Sequence, residues 1–134
     1  KKEGIEIKSF AYPFGAKTQT LDYELQKHFD IIRGTAKGDK KVADNANFYN
    51  GTRLANGIGI DRNYEHFSLN YLTKVLNYAK KYNKIVVFYG HKPVDKATNE
   101  YEVDLKTLEM ICQFVVSNQM KFYTLQELNS LKKQ

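Results

Sequence analysis

The run Ile85-Val86-Val87-Phe88-Tyr89 constrains the fold more than any other stretch of this chain. A continuous apolar run, bounded by Asn83-Lys84 and by Gly90, suits a strand covered on both faces. Such strands belong to parallel sheets, and parallel neighbours need crossover connections, usually helices. The flanking sequence supplies them. Ser68 opens a helical pattern to about Tyr82, with Leu69, Leu72, Val75, Leu76 and Ala79 on one face. Asp104 opens another to about Asn118, with Leu105, Leu108, Ile111, Cys112 and Val115 on its apolar face.

The remaining chain repeats the alternation. Residues 5–11 are predicted as a strand leading into the turn Tyr12-Pro13-Phe14-Gly15. Leu21, Leu25 and Phe29 mark a short helix over 21–29, with Thr20 as its N-cap. A strand is expected over 30–33, a long polar loop over 35–56, and a small-residue strand, "GIGID", over 57–61. After Tyr89 come a loop over 92–103, a short strand over 121–123, and a last helix opened by a Thr124–Glu127 capping box. Alternating strands and helices imply an α/β fold, a parallel sheet or barrel with helices outside. One domain over 1–134 accommodates all of it.

Composition sets limits. A chain of 134 residues, 42% hydrophobic and 27% charged, can build one real core. No apolar run reaches the roughly 20 residues that span a bilayer. Lys1-Lys2-Glu3-Gly4 leads straight into a strand-like segment, without the pattern of a signal peptide. The net charge of +6 suits acidic neighbours, but no basic and aromatic array accompanies it, so nucleic acid is not an expected partner. The single cysteine, Cys112, is expected as a small core residue and forms no internal disulfide.

In parallel α/β folds, sites gather at the carboxyl ends of strands. Three features fall there: the Tyr12-Pro13-Phe14-Gly15 turn, Asp61 and His91. An imidazole gives and takes protons near neutrality, so His91 is a candidate acid or base; the other reading is a packed strand-end histidine bonded to backbone. Asp61 is either its orienting carboxylate or a turn residue opening "DRNY". Arg33 either holds an anionic group or is a surface arginine at a strand end. His28 is expected at the negative end of the first helix, and His66 in solvent. Metal binding lacks support: the chain has no His-x-x-x-His, no His-Glu-x-x-His and no cysteine pair. Ser9, Ser68, Ser117 and Ser130 stand in no nucleophile elbow. "GTAKGDKK" is not a phosphate-binding loop, and "GIGID" is not a dinucleotide fingerprint.

The order of motifs resembles that of the polysaccharide deacetylases, a class of carbohydrate esterases. "SFAYPFG" resembles their third motif, a strand running into Arg-x-Pro-Tyr-Gly. "IVVFYGHKPV" resembles their fifth, an apolar strand ending in a catalytic histidine. "FDIIRGT" and "GIGID" look like the strands between, and "LEMICQFVVSNQMKFYTLQEL" is similar to the close of that domain. The resemblance implies a distorted (β/α) barrel and metal-assisted removal of acetyl groups from sugars. It implies His91 as the general acid, Asp61 as its tuner, the Phe14 backbone N–H as an oxyanion donor, and Tyr12, Pro13, Phe14 and Arg33 as substrate-binding residues. Acetylated polysaccharide or oligosaccharide would be the partner, in the periplasm, on the cell surface or secreted.

Two departures accompany it. The arginine of the third motif falls at Ala11. The family's Thr-Phe-Asp-Asp and His-x-x-x-His motifs, which supply the base and the ligands for a divalent ion, usually zinc, have no counterpart before Tyr12. The chain is therefore expected to be the carboxyl-terminal portion of such a barrel, with no metal of its own and inactive alone. A missing amino-terminal segment or a second copy would cover its open sheet edge. The alternative is a non-catalytic carbohydrate-binding or interaction protein on a degenerate fold of the same type.

Overall fold

The computed structural model describes residues 4–131. Four short strands, β1 (Ser9–Ala11), β2 (Ile31–Ala36), β3 (Leu54–Gly59) and β4 (Phe88–Tyr89), lie side by side in chain order, all parallel. Sequential parallel order is the topology of a barrel wall, and the sheet curls into a half-barrel. Helices α1 (Gln19–Leu25), α2 (Leu69–Lys81) and α3 (Leu105–Ser117) complete an α/β architecture. A two-stranded parallel ribbon, β5 (Lys92–Val94) with β6 (Glu102–Asp104), stands beyond the end of β4.

The apolar run at 85–89 divides its side chains between two layers. Val86 and Phe88 pack outward against Leu72 and Leu76 of α2 and Ile111 and Val115 of α3. Ile85 and Val87 pack inward with Ile31, Ala55 and Leu128. All five residues of the run are only half-buried, and β4 is an edge of the four-stranded sheet, so the run is packed on two sides without the full burial expected of it. The ladder itself covers only Phe88 and Tyr89, but Ile58 N–H also donates to the Val87 carbonyl at 3.0 Å.

α2 follows its sequence closely. Ser68 Oγ accepts the Tyr71 N–H at 3.0 Å, Leu72, Val75, Leu76 and Ala79 are buried, and Lys80 and Lys81 occupy the last turn. Such a cap contributes about 1 kcal/mol. Leu69, in the first turn, is half exposed.

Several boundaries differ from expectation. The first strand shortens to three residues, and Ile5 and Ile7 are exposed. Thr18, not Thr20, caps α1, because its Oγ1 reaches the Leu21 N–H, and the helix stops at Leu25. β2 continues to Ala36 and β3 starts at Leu54, so pairing shortens the long loop from both ends. The 92–103 loop folds into the β5–β6 ribbon. Residues 121–123 form no ladder, and the Thr124–Glu127 capping box opens a 3-10 turn, Gln126–Ser130, rather than an α-helix. Asp104 sits at the N-cap of α3, but its carboxylate accepts the Ala97 N–H at 2.7 Å and leaves the helix uncapped. Cys112 is exposed rather than in the core, because only Thr107, Ile111 and Val115 of α3 are buried and the outer side of that helix has no covering layer among the described residues.

Candidate active site

Beyond its last ladder residue β3 carries Ile60 and then Asp61, and β4 carries Gly90 and then His91. The Ile60 N–H donates to the Tyr89 carbonyl at 3.0 Å, so pairing holds the two strand ends in register up to the site. Asp61 is fully buried. Its Oδ1 accepts the His91 backbone N–H at 2.8 Å, and its Oδ2 lies 2.9 Å from His91 Nδ1. A carboxylate only accepts, so Nδ1 carries the hydrogen and the tautomer is fixed. Nε2 is the free position of a ring that is 49% exposed. Tyr89 and Tyr101 hold that ring edge-on, with centroids 6.0 and 5.1 Å away.

His91 opens onto a cleft of about 880 Å³. Its walls are largely aromatic: Tyr64, Tyr71, Tyr89 and Tyr101, with His66 between them. Tyr89 donates its hydroxyl hydrogen to the Tyr64 oxygen at 3.1 Å. Burial, the largest cause, pushes the Tyr64 phenol far above its ordinary range, so it stays neutral. The β5–β6 ribbon that follows His91 is tied together by Glu102, at the start of β6. Its Oε2 accepts the Thr98 and Asn99 N–H groups at 3.0 and 2.9 Å, and Lys92 Nζ donates to Oε1 at 3.1 Å. Those bonds, the two backbone donors first, draw its carboxyl down to about 2.

Asp61 and His91 are thus brought together, and Arg33 lines the same cleft from β2. Its guanidinium carbon stands 4.6 Å from the centre of the Tyr89 ring. Tyr12 is only 3% exposed, and its hydroxyl donates to Asp22 Oδ1 at 2.6 Å. Burial and that bond push the phenol up to about 12. Tyr12 fastens the strand-end turn to α1 and offers little surface to a ligand. Pro13 is exposed, and Phe14, fully exposed on the cleft wall, holds a left-handed φ of 56°. A non-glycine residue there is strained, held by the turn that Gly15 N–H closes onto the Tyr12 carbonyl.

His66 is not solvated. Its Nε2 lies 2.9 Å from the Gly59 carbonyl, and its Nδ1 accepts the Gly38 N–H at 3.4 Å. The ring stacks on Tyr64 at 5.5 Å. It ties the loop after β2 to the loop after β3. No spacing in the sequence announces this, because both partners are backbone atoms. His28 lies exposed just past α1, near the expected end of that helix.

Among the described residues, no group of three or more His, Cys, Asp or Glu side chains converges to hold a metal ion. Asp61 has both oxygens on His91, and His66 has both ring nitrogens on backbone. The donor set present here does not fit the divalent ion that the deacetylase resemblance implies. Among the described residues no helix is long and apolar enough to cross a membrane. Comparisons with protein-family models, curated proteins and solved structures found no match.

Proposed function

We propose that the chain is the acid-bearing portion of a polysaccharide deacetylase-type barrel, acting on N-acetyl or O-acetyl groups of carbohydrate. The observation that carries the reading is the Asp61–His91 pair at the adjacent carboxyl ends of β3 and β4, opening on a tyrosine-walled cleft. Asp61 holds Nδ1 and so directs Nε2 at the cleft. Once water has added to an acetamide carbonyl, the C–N bond breaks as the doubly protonated His91 ring passes its Nε2–H proton to the amine nitrogen, which leaves the Nδ1–H tautomer held by Asp61. Acetate and the free amino sugar leave, and His91 regains a proton from solvent. The zinc or other divalent ion of such enzymes would be held by residues of the parent domain outside this set, so the chain alone is inactive.

Acetate release from N-acetylglucosamine oligomers by the complete gene product tests this. His91→Ala should lower the rate by roughly 10²–10⁴-fold. An unchanged rate removes His91 as the acid, and no release by the unaltered protein with zinc supplied removes the enzyme reading. The tyrosines around His91 favour a second reading, a carbohydrate-binding protein without catalysis, since sugars pack on such rings. Sugar binding without acetate release would establish it.

A further inference from the structure

Resting on a carbohydrate ligand for this cleft, we infer that Arg33 forms a subsite for a carboxylate carried by that sugar. Arg33 sits in the middle of β2, on the concave face of the half-barrel. Its side chain crosses Gly57 of β3, where a Cβ would lie 3.3 Å from Arg33 Cδ and 3.0 Å from Tyr89 Cδ1. The missing side chain at Gly57 lets the guanidinium lie over the Tyr89 ring at 4.6 Å. A guanidinium presents five donors in a planar fork, the shape that grips a carboxylate through two parallel bonds. Among the described residues that fork has neither an ion pair nor a hydrogen bond; its contact is the ring.

The surroundings assign the charge preference to this one group. Lys37 and Lys40 line the rim of the cleft, but Asp39 and Glu65 line it too. Asp61, the buried carboxylate nearest the chemistry, already has both oxygens on His91. Among the described residues Lys37 and Lys40 form no ion pair either, but both are exposed; Arg33 is the half-buried cation of the cleft, where a partner's charge is screened less than at the surface. Tyr89 contacts both Arg33 and His91, so the carboxylate and the proton donor would share that ring as a neighbour. The ligand class is a uronate-type sugar, with its acid on Arg33 and its body against the tyrosines.

Calorimetric titration of the chain with trigalacturonate and with neutral N-acetylchitotriose, with the Arg33 Nε–H resonance followed in parallel, tests the subsite. The acidic trimer should bind at least tenfold more tightly and weaken as salt is raised, and the Arg33 resonance should move with it alone. Arg33→Met should remove that preference, so that the two trimers bind with equal affinity, and Arg33→Lys should recover only part of it. Equal affinities, or an Arg33 resonance that stays fixed as trigalacturonate is added, overturn the subsite while leaving sugar binding intact. If neither trimer binds, the carbohydrate reading falls as well, and the subsite with it.

Discussion

His91 uses one ring nitrogen on the protein, and His66, across the same cleft, uses both. His91 stands at the end of a buried strand, against a buried carboxylate, with its second nitrogen open to the cleft. His66 stands in a loop and bridges two backbone segments, Gly38 and Gly59. The difference teaches that half-exposure of a histidine in a cleft is no guide to its work. What decides is the inventory of partners: a ring with one nitrogen free can move a proton, and a ring with both engaged is a fastener.

The comparison breaks most visibly at Asp61. Asp61→Ala removes a buried charged acceptor of two hydrogen bonds and should cost about 3 kcal/mol in urea denaturation. The His91 ring should then lose its fixed tautomer, seen as a change in the nitrogen-15 shifts of Nδ1 and Nε2. His66 resonances should stay in place. A variant that leaves the His91 ring shifts untouched would mean that Asp61 does not orient it.

His66→Ala should act on the other side. Two neutral bonds are lost, one of them long, so the expected cost is smaller, about 1–2 kcal/mol. The effect should concentrate in the polar segment around Gly38 and Asp39, as faster proteolytic cleavage there with little change at His91. Uniform destabilisation without faster cleavage would show that the loop is held by other contacts, such as the Tyr71 hydroxyl on the Asp39 carbonyl.

A third test changes pH instead of sequence. Glu102 organises the ribbon that follows His91, and its carboxyl is drawn from the ordinary 4.5 down to about 2 by the Thr98 and Asn99 N–H groups and then Lys92. A lowered folded value means stabilisation present above pH 4.5 and lost as pH falls from there toward 2. The Thr98 and Asn99 amide resonances should therefore titrate with a midpoint near 2. A midpoint near 4.5 would show that the bonds do not hold the ionised form. Glu102→Gln should abolish the titration.

How much of this was legible in the chain follows from where the partners lie. The two-sided packing of the 85–89 run, though not its full burial, the capped face of α2 and the parallel α/β order were readable from the periodicity of their segments. Asp61 and His91 were readable as a pair because strand ends in such sheets converge. His66 and Glu102 were not. The partners of His66, and the two main donors to Glu102, are backbone groups, which every residue carries, and in the case of Gly38 the partner lies 28 residues away. Segment 121–123 misled for a related reason. Its apolar residues fit a strand, but a strand exists only against a partner edge, and Phe122 and Tyr123 remain 60% and 40% exposed. The long loop was overestimated because β2 and β3 extend each other through pairing, from Ile32 opposite Leu54 to Ala36 opposite Ile58, that no local pattern marks.

Tyr12 gives the smallest effect and the finest distinction. A ligand-contacting role and a fastening role make different demands on its hydroxyl. As a fastener it donates to Asp22 from a buried position, so Tyr12→Phe should cost about 1 kcal/mol while keeping the ring that packs on Phe10. Its phenol is raised from 10 to about 12, so the stabilisation it gives is complete below pH 10 and fades as pH rises toward 12. Tyr12→Phe should therefore lower stability below pH 10, remove the decline between pH 10 and 12, and leave sugar affinity unchanged. If affinity falls instead while the alkaline decline persists, Tyr12 belongs with Arg33 and His91 among the groups that touch the ligand.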